Sequence, residues 1–70
     1  MTKMKIKWTT KDIDTDKVIK EWTVEYSRSE LLEVFDKSER LAITKSQNII
    51  WHSCFPTGKA YWVHTGQPIN

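Results

Sequence analysis

Cys54 is the only cysteine among 70 residues, so no internal disulfide can hold this chain together. A chain this short buries only about 60% of the surface that its unfolded form exposes, so its core must be built from large side chains. Four tryptophans, two phenylalanines and two tyrosines are available. Each aromatic can bury ~150–250 Å². Most of them are therefore read as core.

Their spacing predicts strands. Met4, Ile6 and Trp8 alternate with Lys5 and Lys7, and Val18, Trp22, Val24 and Tyr26 alternate with Glu21, Thr23 and Glu25. A period of two marks half-buried strands. The two segments fit an antiparallel hairpin that sets Lys5 and Lys7 against Glu21 and Glu25 on the outer face. Lys20 interrupts the apolar face, which places it near an edge or an end. Between the strands, Asp12, Asp14 and Asp16 have the look of a calcium loop. An EF-hand needs Gly at loop position 6 and Glu at position 12, and Lys17 and Thr23 stand there, so the segment reads as a solvated turn.

Ser27 followed by Glu30 fits a capping box, with Ser29 as the alternative N-cap, and Leu31, Leu32, Val34 and Phe35 make one apolar face. The spacing predicts a helix over about 29–39. Glu30, Glu33, Asp36 and Glu39 line its other side, as a solvated stripe or as an acidic decoy for a basic groove. Leu41–Lys45 alternates and contains β-branched Ile43 and Thr44, so it reads as a third strand, with a longer helix as the alternative.

Phe55-Pro-Thr-Gly-Lys59 carries the chemistry of a three-residue hairpin loop with Gly58 left-handed. A regular ladder from that loop sets Cys54 opposite Ala60, Ser53 opposite Tyr61, His52 opposite Trp62 and Ile50 opposite His64. Trp51, Ser53, Phe55, Tyr61 and Val63 then share the core face. Ile50, His52, Cys54, Ala60, Trp62 and His64 share the other. A one-residue slip would undo this sorting.

That second face is the candidate site. His52, Cys54 and His64 are all legitimate zinc ligands. However, diagonal strand neighbours lie ~7–8 Å apart and no fourth ligand accompanies them. A nucleophile–histidine pair needs hydrogen-bond contact, and no carboxylate follows Glu39 to orient a histidine. Thr57-Gly-Lys59 matches only part of a phosphate loop, because Ser53 stands at the first glycine position and Ala60 where a Ser or Thr must follow the lysine. The chain is accordingly read as a non-enzyme with no metal or cofactor.

Charge is uneven along the chain. Residues 1–39 carry eight basic and nine acidic side chains, whereas residues 40–70 carry Arg40, Lys45 and Lys59 and no acid. No segment has the apolar length of a signal peptide or a membrane span, and a lone cysteine fits the cytoplasm.

The expected fold is a single α+β domain over 1–66, ordered β-β-α-β-β-β, with one helix on a mostly antiparallel sheet and a loose tail over 67–70. One short helix cannot cover both faces of such a sheet, so apolar surface is left for a protein partner or a second copy. Small size without catalytic motifs is like many phage or mobile-element accessory proteins, so the first expectation is a protein-binding module that modulates a host protein. The alternative is a nucleic-acid-binding module. The candidate binding face is Lys45, Ile50, His52, Lys59, Trp62 and His64. A protein partner would meet its tryptophan and aliphatic surface, whereas the nucleic-acid reading uses Lys45, His52, Lys59, Trp62 and His64, with Trp62 stacking and the lysines meeting phosphate.

Overall fold

The computed structural model describes residues 3–69. The elements run β1 (Met4–Asp12), β2 (Val18–Tyr26), α1 (Arg28–Val34), α2 (Lys37–Thr44), β3 (Ile49–Cys54) and β4 (Ala60–Ile69). The four strands form one sheet in the order β2-β1-β4-β3, with every neighbouring pair antiparallel. The helices connect β2 to β3, the two edges of the sheet, and so they cross its full width over one face.

The first hairpin follows its sequence pattern. Trp8 pairs with Trp22 and Lys5 with Glu25, whereas Lys7 stands opposite Thr23 and Glu21 opposite Thr9, so only one of the expected lysine–glutamate pairs is directly opposed. Ile6, Trp8 and Thr10 point inward and are buried, while Lys5 and Lys7 are exposed. Lys20 lies on edge strand β2, with its ammonium 4.7 Å from the centre of the Trp22 ring. In the turn, the Asp12 carboxylate accepts from the backbone N–H groups of Asp14 and Thr15, and Asp16 takes a left-handed φ of 60°. That is ordinary Asx-turn chemistry.

The helical region departs from expectation. Two helices replace the single one expected over 29–39, and Leu41–Lys45 is not a strand. α2 runs through Leu41 to Thr44, and Lys45 caps it. The cause is a second capping box. The Asp36 carboxylate accepts from the Glu39 N–H, and the Glu39 carboxylate accepts from the Asp36 N–H. A cap is worth ~1 kcal/mol, whereas strand propensity at single positions is weak and depends on context. Phe35, at the corner between the helices, adopts an extended backbone that ends α1 and drives its ring into the core. Full burial of such a ring contributes about 1.5–3 kcal/mol. α2 ends in a Schellman motif. Ser46 has φ 57°, its N–H donates to the Ile43 carbonyl, and the Gln47 N–H donates to the Ala42 carbonyl.

The core is Ile6, Trp8, Tyr26, Phe35, Ile43 and Ile49. Trp8 is its centre. Its ring packs 6.3 Å from Trp22, 6.4 Å from Phe35 and 4.7 Å from Trp51, centre to centre, and its Nε1 donates to the Tyr26 hydroxyl. Trp51 sits two strands away on β3, and Trp8 reaches it by lying across β4 at Gly66. A Cβ at Gly66 would stand 2.8 Å and 2.9 Å from the Trp8 ring atoms Cζ3 and Cη2. Glycine is needed there for room.

The expected tail over 67–70 is also corrected. Gln67, Pro68 and Ile69 continue β4 and pair with Lys7, Ile6 and Lys5. Asn70 lies outside the described residues, as do Met1 and Thr2 of the expected 1–66 domain. β3 pairs with β4 only as far as Gly66, so beyond it one side of β4 is an edge where proline is tolerated. No helix among the described residues is long and apolar enough to cross a membrane.

Candidate functional site

The loop of the second hairpin forms as its residues require. The Phe55 N–H donates to the Lys59 carbonyl, the Gly58 N–H donates to the Phe55 carbonyl, and Gly58 has φ 91°. Cys54 pairs with Ala60 as expected, but the next pair is Ser53 with Trp62. Tyr61 is an extra residue in β4, a bulge whose carbonyl accepts from the Ile13 N–H in the opposite turn. The register therefore slips by one residue for the remainder of the hairpin.

This slip re-sorts the faces. Trp51 pairs with His64 and His52 with Val63. Trp62 and His64 thus share the helix-covered face with Trp51 and Ser53, and Val63 joins Ile50, His52 and Cys54 on the opposite face. The six candidate binding residues do not form one surface. Ile50 and His52 lie on the outer face of β3, Trp62 and His64 on the inner face of β4, Lys45 at the end of α2, and Lys59 after the hairpin loop.

His64 acquires a bridging position. Its Nδ1 lies 2.7 Å from the Thr10 hydroxyl and its Nε2 lies 2.6 Å from the Ser53 hydroxyl. It links β1, β4 and β3 and satisfies Thr10, the one buried polar residue among those described. A hydroxyl where a serine–histidine–carboxylate triad has its acid cannot balance the charge of an imidazolium. The trio is best understood as a cross-strand bridge. Beside it, His64 closes a groove of about 250 Å³ floored by Trp8, Trp22, Tyr26 and Trp51. Trp62, 37% exposed, continues an aromatic run from Phe55 through Tyr61, with ring centres 4.6 Å and 5.2 Å apart.

The acids of the helices are largely engaged. Glu30 accepts from the Ser27 N–H, and this backbone hydrogen bond, followed by that of the Ser27 hydroxyl, holds its carboxyl below the ordinary value of 4.5. Glu39 has a double role, because its second carboxylate oxygen accepts from the Trp51 indole N–H. It ties α2 to β3 while completing a cap.

A groove between the helices escaped the sequence reading. Arg28, Leu31 and Leu32 of α1 face Arg40, Ile43 and Thr44 of α2 across about 320 Å³, with Met4 of β1 also lining it. Each set is spaced i, i+3, i+4, which puts it on one helix face. None of these seven residues is acidic. Leu32 is 60% exposed, and the Arg40 guanidinium donates to the Phe35 carbonyl at 2.6 Å. The signal was present in the spacing. It was legible only once residues 40–44 were known to be helical.

Comparison with protein-family models, with curated proteins and with solved structures found no match.

Proposed function

We propose that this chain is a small, non-enzymatic protein-binding module, and that the groove between α1 and α2 receives an acidic segment with aliphatic anchors from its partner. The observation that carries the reading is the combination in that groove of Leu31, Leu32 and Ile43 with two guanidinium groups and no carboxylate. Aliphatic walls supply burial, and arginine selects carboxylates through its planar donors. Such a module fits an accessory protein, of the kind phages and mobile elements carry, that acts by occupying a host protein. A nucleic-acid role finds less support, because Lys45, Lys59, His52 and Trp62 are dispersed and do not line one path.

The test uses two synthetic amphipathic peptides with identical leucines, one bearing glutamates and the other lysines. Methyl NMR signals of Leu31, Leu32 and Ile43 are followed during titration. The expected result is saturable shifts with the glutamate peptide only, weakened by salt and by Arg28→Glu. Equal responses to both peptides, or none to either, would overturn the reading.

A further inference from the structure

We propose that β3 is a dimerisation edge, pairing antiparallel with β3 of a second copy of this chain to give a continuous eight-stranded sheet. This is independent of the groove between the helices. β3 ends the strand order, and among the described residues its outer edge makes no backbone hydrogen bond to another strand. Natural edges are usually protected by charge, proline or cover. The other edge, β2, carries Lys20, Glu21 and Glu25, whereas Ile49–Cys54 contains no charged residue and no proline.

The register follows from the chain. Pro56 has no N–H and ends any ladder beyond Phe55. β3 begins at Ile49, so the pairing window is 49–55 and a two-fold axis falls at its centre, His52. Ile50 then lies opposite the partner's Cys54, and Ile49 opposite the partner's Phe55. Ile50 and Phe55 are 59% and 51% exposed in the single chain. Each gains an apolar neighbour, and the two-fold axis makes every contact twice. Because partners in a ladder share a face, both helical layers lie on the same side of the joined sheet.

An engineered disulfide reads the register directly. Opposed residues of antiparallel strands have Cα atoms about 4.5–5.5 Å apart, within disulfide reach. Within one chain, positions 50 and 54 are separated by about 13 Å of strand, so Ile50→Cys cannot bond to Cys54 internally. Oxidised glutathione, accepting two electrons and two protons per bond, should convert Ile50→Cys into a covalent dimer. Ile50→Cys combined with Cys54→Ser should stay uncrosslinked. Sedimentation of the unmodified chain should approach twice 8.3 kDa as concentration rises. Ile50→Lys should weaken the association at least tenfold with an unchanged circular dichroism spectrum, while Ile19→Lys on the other edge should not. A constant 8.3 kDa species up to millimolar concentration would refute the proposal, as would a crosslink that survives Cys54→Ser.

Discussion

Replacing Gly66 with alanine tests the packing of the core at a single atom. The new Cβ would stand 2.8 Å from Cζ3 and 2.9 Å from Cη2 of Trp8, and 3.2 Å from Cγ2 of Ile6. Neither side chain can step aside. Ile6 is fully buried, and Trp8 is held by Trp22, Phe35, Trp51 and its hydrogen bond to Tyr26. Overpacking of this kind costs about 1–3 kcal/mol. The smaller backbone entropy of alanine in the unfolded chain returns about 0.4–1 kcal/mol. The net loss is then about 1–2 kcal/mol, and for a domain of this length each kcal/mol moves Tm by about 4–8 °C. Near-ultraviolet circular dichroism, which reads the tryptophan cluster, should show melting roughly 5–15 °C lower. In a Trp8→Phe background the ring ends short of the clash, so Gly66→Ala should cost less than half as much there. A Gly66→Ala variant that melts at or above the parent would show that the indole does not lie on residue 66.

Three further outcomes follow from the helices. Ser46→Gly relieves a left-handed serine at the end of α2 and should raise the urea midpoint by an amount equivalent to about 1 kcal/mol. Glu39→Ala removes both a cap and the acceptor of the Trp51 indole, so urea denaturation should show a loss of about 2 kcal/mol, while Glu39→Gln loses less than half of that. The Glu30 carboxyl titrates lower when folded than when unfolded, so its contribution is complete above about 4.5 and disappears as pH falls through the lowered folded value. Urea midpoints of the parent and Glu30→Gln should differ by a constant amount above that pH and converge in acid.

The two hairpins were legible because each has local punctuation and a clean period of two. Trp8 and Trp22 could be placed on one face from spacing alone, and Pro56 with Gly58 announced the second loop. The single break at Lys20 was correctly tied to an edge. What failed depended on single residues without a distinctive type. Nothing in Ala60-Tyr-Trp62 marks a bulge, yet Tyr61 moved Trp62 and His64 to the other face and dispersed the candidate site. Residues 41–44 were misread because weak β-branched preference outweighed the capping box at Asp36 and Glu39, which was readable. Residues 67–70 read as a loose tail, yet Gly66 and Pro68 both stand within β4. One is set by the ring of a tryptophan 58 positions earlier, the other by where β3 stops, and neither cause is local.

The bulge at Tyr61 also gives the hairpin spare length. Deleting that residue would leave Cys54 opposite Ala60 and Ser53 opposite Trp62, with an unbroken ladder on both sides and the pairing of β4 with β1 undisturbed. The losses would be confined to the link with Ile13 and the ring contacts with Phe55 and Trp62. Elsewhere in β4 a one-residue deletion would turn inward-facing side chains to solvent. Drift in chain length can therefore enter this sheet most easily at position 61, which makes the hairpin tip a place where related chains could differ by a residue and keep the same core.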